Sequence, residues 1–361
     1  MTRSIVAAMI AAACTAHADP LSRCLEQRVA RDDFSGFVIA VHRGAVAASV
    51  GRGVVGAPDS AAIARDTRFN IASAGKMFTA VAVGQLVDAK KIAFDDPIGK
   101  YVKGLLPETA VVTIRQLLTH TSGLGDFFSP QNIRVLHAAR TATDLLPLIA
   151  SQKPEFTPGS QFRYSNSGFA LLGILIERVT GLTYGEYLRR SVFLPAGMEN
   201  TGLDPEPLDT LAQGLTAKTP AGGTGPLHPA PGATLHGSAA GGAFSTASDL
   251  QRFAVALLGN RLASSANTAA LISSKVQTSS PGRSYGYGFG IKARNGRTWI
   301  GHNGGTLGAN VEFEFTSDGE WSLAALSNRD PPSATKLMEY LEDLIADPAN
   351  TRECGSKAAG H

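Results

Sequence analysis

Cysteine is scarce in this chain, with three residues in 361, at Cys14, Cys24 and Cys354. No Cys-x-x-Cys pair and no His-Glu-x-x-His run occurs, so metal chemistry loses its usual supports. Charge is also low: 17% of residues are charged and the formal net charge is +3. No run of Lys and Arg stands out, which removes the basic footprint that nucleic-acid binding needs. Beyond the first residues no segment is long and apolar enough to cross a bilayer. A Gly-x-Ser-x-Gly elbow is missing as well. Ile71 and His236 stand two places before Ser73 and Ser238, where the first glycine is needed, and this argues against an α/β-hydrolase triad. What is present is 43% hydrophobic residues, enough for a sizeable core in one large domain or two small ones.

The chain opens with Arg3, an apolar stretch from Ile5 to Ala13, and the small-x-small run Ala16-His17-Ala18. This pattern predicts a signal peptide over residues 1–18, cleaved after Ala18, and a periplasmic or secreted protein. Cys14 follows three alanines in the manner of a lipoprotein acceptor but lacks the large aliphatic residue three places earlier, so lipidation is the lesser reading. Cleavage leaves Cys24 and Cys354 near the two ends of the mature chain. Residues 351–361 read as a tail.

Strand patterns lie at both ends of the mature sequence. Phe37–Val41 and Ala45–Val50 flank His42-Arg43-Gly44 as a hairpin, and Tyr287–Ile291, Thr298–Ile300, Asn310–Phe315 and Trp321–Leu326 are four further strand candidates. Helical patterns lie between them. Met77 to Val87 is apolar on most sides and therefore reads as a central helix. Thr113–Leu118 looks like a short capped helix, and Ser167 to Val179 a longer one ended by Gly181. Residues 220–242, rich in Gly, Pro and Ala, read as a long surface loop, Ser248 opens another helix, and Ser333 to Ile345 is amphipathic. The order predicts an α+β fold: an antiparallel sheet built from both termini and flanked by helices, with a mostly helical insertion. One domain is expected over residues 19–350, its sheet part about 19–90 and 240–350, its helical part about 91–239.

Ser73-Ala74-Gly75-Lys76 has a Ser-x-x-Lys spacing, which on a helix brings the lysine amine to the serine hydroxyl. A lysine in an apolar pocket is easier to deprotonate, or its charge can depress a neighbouring phenol. Ser333-Ala334-Thr335-Lys336 repeats the spacing, but Ser333 follows two prolines at the start of a terminal helix, the place of an ordinary N-cap. Ser73 instead stands between a strand and an apolar helix, where a nucleophile meets the positive helix end. Tyr164-Ser165-Asn166 precedes the helix at Ser167, and His302-Asn303-Gly304-Gly305 stands between two candidate strands.

Ser-x-x-Lys, Tyr-x-Asn and a basic-x-Gly element, in that order, resemble the superfamily of serine β-lactamases and D-alanyl-D-alanine carboxypeptidases, with class C β-lactamases and their esterase and peptidase relatives nearest. Leu118–Leu124, Leu194–Met198, Gly241–Thr246 and Tyr287–Gly290 add to the resemblance, which covers nearly all of the mature chain. It implies Ser73 as the acylated nucleophile, Lys76 and Tyr164 as the acid–base pair, and Asn166 orienting Lys76 and a substrate amide. It also implies an oxyanion hole of the Ser73 and Gly305 N–H groups, with His302 and Gly304 of the third motif beside the substrate. His120 reads as a structural hydrogen-bonding residue. No metal or cofactor is expected, and the partner is a small ester, peptide or β-lactam substrate of a monomer. β-Lactamases carry Lys-Thr-Gly at the third motif, where this chain has His302-Asn303-Gly304. The primary reading is therefore cleavage of a small ester or a D-amino-acid peptide or amide, with a class C-type β-lactamase as the alternative. An unperturbed His302 titrates near neutral pH, so a substrate carboxylate would be gripped less well at alkaline pH. A non-catalytic cell-wall-binding relative is the rival of another class, and such a protein is expected to have lost Ser73, Lys76 or Tyr164. In this superfamily the terminal helices pack on one face of the sheet, which puts a Cys24–Cys354 bridge within reach; two free thiols are the alternative.

Overall fold

Strand alternation decides the layering. In β1 (Gly36–His42), Phe37 and Ile39 face one way and Val38 and Ala40 the other, and all four are buried. A strand apolar on both faces has to be covered on both. In the computed structural model, which describes residues 20–354 apart from 33, 57–59, 221, 348, 352 and 353, it is. Residues 1–18, read above as a signal peptide, together with Cys14 and the end of the tail, lie outside the described residues.

β1 belongs to an antiparallel sheet with β2 (Ala45–Arg52), β3 (Val276–Gln277), β4 (Arg283–Tyr285), β5 (Gly290–Arg294), β6 (Arg297–Thr306), β7 (Ala309–Thr316) and β8 (Trp321–Ser327). Their spatial order is β2-β1-β8-β7-β6-β5-β4-β3. Strands from both ends of the chain therefore meet at β1–β8, with Phe37 opposite Leu326 and Val41 opposite Ser322. Helices α1 (Pro20–Arg31) and α5 (Ser333–Ala346) cover the outer face, packing Leu25, Val29, Leu337 and Leu341 on Val38, Ala40, Trp299 and Leu323. The inner face, with Ile39, Ile300, Phe313 and Leu326, packs against α2 (Lys76–Asp88), α3 (Asn166–Thr180) and α4 (Ala247–Leu258) in one continuous core. Helix α2 runs through the middle: every residue from Lys76 to Gly84 is buried.

Local signals explain the helix ends. Thr113 and Gln116 form a reciprocal capping box on the helix Ile114–Leu118. The Ser165 hydroxyl accepts the Gly168 N–H at the start of α3, and Gly181, at φ +73°, ends it.

Four expectations change. Strand β5 begins at Gly290 rather than Tyr287, because Gly288 (φ +78°) turns the chain against α2, where a β-carbon would stand 2.5 Å from the Ala80 methyl. Strand β6 continues to Thr306, so His302–Gly305 lie within a strand instead of between two. Residues 220–242 contain a strand, Thr224–Pro229, paired with Leu215–Lys218; its side chains are mostly exposed, so it carries no apolar alternation to read. Ser333 does not cap α5. Its hydroxyl donates to Ser327 Oγ at 2.9 Å, while Asn310 Oδ1 accepts the Ala334 and Thr335 N–H groups.

Cys24 and Cys354 form a disulfide, with Cα atoms 5.2 Å apart and a sequence separation of 330. It fastens α1 to the segment after α5. Opening so long a loop frees the unfolded chain, and loss of such a bridge costs about 2–4 kcal/mol. Cys354→Ser is therefore expected to lower the midpoint of thermal unfolding. Turnover should not change, since the bridge joins helices on the outer face of the sheet, away from Ser73. An unchanged melting curve would show that the bridge restrains nothing.

Candidate active site

Ser73 lies on a single 3₁₀ turn, Ala72–Gly75, one turn ahead of α2. The residue before it is held in an unusual conformation. Ala72 has φ +44°, a region disfavoured for any residue with a β-carbon and costing about 1–3 kcal/mol. Two bonds hold it there: Ala72 N–H donates to Asn70 Oδ1 at 2.9 Å, and its carbonyl accepts from Gly242 N–H at 2.9 Å. The turn therefore presents Ser73 to the cleft from a backbone fixed on both sides.

Lys76 opens α2 and is fully buried. Its Nζ lies 3.3 Å from Ser73 Oγ, donates to Asn166 Oδ1 at 2.8 Å, and donates to the Ala240 carbonyl. No carboxylate touches it among the described residues. Burial lowers its pKa to about 7, opposed by the more distant charge of Asp126. As an ammonium it matches three donors to three acceptors. As an amine it keeps two N–H bonds for the Asn166 and Ala240 oxygens and turns its lone pair to Ser73 Oγ. Both forms fit the same cage.

Tyr164 and Asn166 come from the N-terminal end of α3. The Tyr164 ring lies 4.7 Å from Lys76 Nζ, measured to its centroid, and its hydroxyl lies on the Ser73 side of the ring. The residue is 38% exposed to the cleft, and the partial loss of water around its hydroxyl raises the phenol above its usual value. Asn166 Nδ2 donates to Asp126 Oδ2 at 2.7 Å. Asp126 thereby fixes the amide so that its oxygen faces Lys76.

Glycine decides how close β6 can come. A β-carbon at Gly304 would stand 2.3 Å from the Ile71 carbonyl and 3.1 Å from the Ala72 methyl, so only glycine lets the strand lie against the nucleophile turn. That contact puts Gly305 with Ser73 on the wall of one cavity. Strand β5 stops pairing with β6 at Gly301, and among the described residues no strand takes the edge of His302–Thr306 that faces the cleft.

Two chambers border these residues. One, of about 230 Å³, holds Ser73, Asn166 and Gly305 and is walled by Phe127, Leu136, Leu145, Leu203 and Leu235. The other, of about 250 Å³, lies past Tyr164 and Asn303 and is lined by Thr278, Ser280, Arg283 and Glu312.

The structure thus brings Ser73, Lys76, Tyr164, Asn166, Gly304 and Gly305 together. His302 is different. Its ring is buried and its Nε2 lies 2.8 Å from the Tyr285 hydroxyl, while Nδ1 meets the Asn303 carbonyl. Burial, then the charge of Lys76, lowers its pKa to about 3. The expected loss of carboxylate grip as His302 titrates near neutrality is therefore corrected: the ring is neutral throughout the working range, and both nitrogens are already engaged. His120 has the structural place expected of it, its Nδ1 accepting the Ser165 N–H at 3.0 Å. Asp126 and the Ala240 carbonyl escaped the sequence reading. Asp126 lies two residues beyond the run Leu118–Leu124 in a loop, with no spacing rule to single it out, and a backbone carbonyl has no sequence signal at all.

Comparisons with known proteins agree with this geometry. Residues 21–347 match the family model described as Beta-lactamase. Penicillin-binding protein 4 of Amycolatopsis lactamdurans is 26% identical over 318 residues, 83% of this chain and 82% of that protein. With penicillin-binding protein 4* of Bacillus subtilis the identity is 30%, over 51% of this chain and 42% of that protein, so the match spans less than half of that relative's length. Among solved structures, a penicillin binding protein from Bacillus halodurans matches with a TM-score of 0.79 at 29% identity, covering 89% of this chain and 99% of that one. A D-stereospecific amidohydrolase from Streptomyces sp. matches with a TM-score of 0.74 at 28% identity, covering 90% and 98%. Matched over most of its length, the chain belongs to the beta-lactamase family, serine hydrolases that share their fold with penicillin-binding proteins.

Proposed function

We propose that this protein is an exported hydrolase that cleaves a small ester or a D-amino-acid amide or peptide through an acyl-enzyme on Ser73. The observation that carries the reading is the cage around Lys76, which holds a lysine with a pKa of about 7 beside the serine hydroxyl. A base is most effective when its pKa lies near the working pH. Neutral Lys76 takes the Ser73 proton as Oγ bonds to the substrate carbonyl carbon. The carbonyl oxygen becomes an oxyanion held by the Ser73 and Gly305 N–H groups. Collapse breaks the bond to the leaving alcohol or amine, which receives the Tyr164 proton, and Lys76 restores that proton to Tyr164. Water attacks the acyl-enzyme by the same route in reverse. Of the two roles open to the lysine, the base is favoured, because its Nζ reaches Ser73 Oγ directly, at 3.3 Å.

The chambers suit the two halves of such a substrate. The wall of Phe127, Leu136, Leu145, Leu203 and Leu235 beside Ser73 fits an apolar acyl side chain. The chamber past Tyr164, with Thr278, Ser280 and Arg283, fits a polar leaving group. The likeness to a D-stereospecific amidohydrolase supports D-aminoacyl substrates, and the Cys24–Cys354 bridge supports an oxidising compartment outside the cytoplasm.

Three outcomes are expected. Ser73→Ala abolishes turnover and labelling by a fluorophosphonate probe, whereas Ser333→Ala keeps both; hydrolysis surviving in Ser73→Ala would remove the nucleophile. Tyr164→Phe lowers kcat by about 10²–10⁴-fold, the typical worth of a general acid–base group, and an unchanged kcat would take the phenol out of the reaction. A D-phenylalanyl ester exceeds the matching glycyl ester in kcat/KM by roughly 30-fold, the factor that corresponds to burying an aromatic side chain worth about 2 kcal/mol. Equal values would show that the apolar chamber does not hold the acyl part.

A further inference from the structure

Behind Tyr164 stand three buried polar side chains that the proposed reaction does not use: His120, Tyr285 and His302. They come from three separate parts of the fold and form one hydrogen-bonded chain. Its proton positions follow from counting. Ser165 N–H donates to His120 Nδ1 at 3.0 Å, so that nitrogen carries no proton. A neutral imidazole has one N–H, which must then be on Nε2, 3.2 Å from the Tyr285 hydroxyl. Having accepted that bond, Tyr285 has a single proton to give, and the remaining neighbour is His302 Nε2 at 2.8 Å. His302 Nε2 is thus an acceptor. Its own proton is on Nδ1 and goes to the Asn303 carbonyl.

The chain begins at a backbone donor and ends at a backbone acceptor, so no link can be reversed. A second proton on His120 would set one donor against another at Ser165. A second proton on His302 would leave the Tyr285 proton without an acceptor. The charged group that acts on both rings is Lys76, and the other groups facing them are aromatic or neutral: Phe162, Phe169, Tyr164 and Tyr285. Burial and that positive charge both hold the two imidazoles uncharged. The backbone adds a cost at the same place, since His120 sits at φ +56°.

The chain also has a direction in space. The His120 ring lies 4.1 Å from the Tyr164 ring at an interplanar angle of 30°. Its first link ties the chain to the start of α3, which carries Tyr164 and Asn166. Its last link ties it to β6, which carries Gly305. Resting on the proposed reaction at Ser73, we propose that Tyr285 is a positioning residue that locks His120 and His302 in opposite neutral tautomers and thereby couples the α3 end of the site to the β6 end. The histidine of the third motif then acts as an anchor for its strand rather than as a contact for substrate.

The test separates this coupling from the reaction itself. In histidine-15N-labelled protein, long-range 1H–15N spectra are expected to show two rings that stay neutral from pH 5.5 to 9. One should have its proton on Nε2 (His120) and the other on Nδ1 (His302). Finding both rings in the same tautomer, or either one titrating near 6.5, would overturn the lock whether or not Ser73 is the nucleophile. Tyr285→Phe should release the His302 tautomer and lower kcat by about 10–100-fold, with KM within about twofold, as expected for misplacement without lost contacts. Should Tyr285→Phe leave both tautomers and kcat unchanged, the positioning role is wrong. Should that variant fail to fold, the wild-type spectra still decide the lock.

Discussion

The site depends on a lysine buried without a carboxylate in contact. Taking an ammonium out of water is costly, and in a protein interior the group sheds its proton more easily instead. Among the described residues Lys76 hydrogen-bonds to the oxygens of Ser73, Asn166 and Ala240, and the negative charge of Asp126 is reached through the Asn166 amide. This arrangement lowers the amine to about 7 without removing it from reach of the serine. A direct salt bridge would have raised the amine and spoiled it as a base. Asp126 therefore acts best at one remove, aligning the amide and moderating the shift.

Much of the surrounding fold can be understood as what keeps that lysine dry and aimed. Helix α2 is buried on all sides over Lys76–Gly84, which places the amine in the core rather than on a surface. The strained Ala72 sets the angle at which Ser73 meets it. Gly304 lets β6 close against the same turn. On the far side, the neutral imidazoles of His120 and His302 supply polar groups without a second positive charge. The elements that make these contacts come from distant parts of the chain: α2, the start of α3, the 238–243 segment and β6. Their common meeting place is the inner face of the sheet, which is why strands from both ends of the chain must pair at β1–β8 before the site exists.

Local signals in the sequence reached part of this. The capped helix at Thr113, the stop at Gly181 and the hairpin of β1 and β2 depend on neighbouring residues, and each was legible from them. Ser73 and Lys76 are marked by their spacing and context, whereas Tyr164 and Asn166 are marked by the family resemblance that their motif completes. Other features depend on contacts remote in sequence. The extension of β6 through His302–Gly305 has almost no apolar side chains to mark it, and its pairing is set by β7. The cap on α5 is given by Asn310 from a neighbouring strand, so Ser333 only resembled one. His302 looked like a titrating group because its ordinary pKa is near neutral; its burial against Tyr285 is a tertiary fact.

The ionisation of Lys76 is what the account turns on, and it can be measured without any substrate. Protein labelled with 13C at the lysine ε-carbons is titrated by NMR from pH 5 to 11, with Lys76→Arg identifying the signal. The account predicts one lysine changing charge near pH 7, well below the ordinary lysine value of about 10.4. A Lys76 signal that titrates with the others would contradict it, because the amine would then be protonated at working pH and unable to take the Ser73 proton.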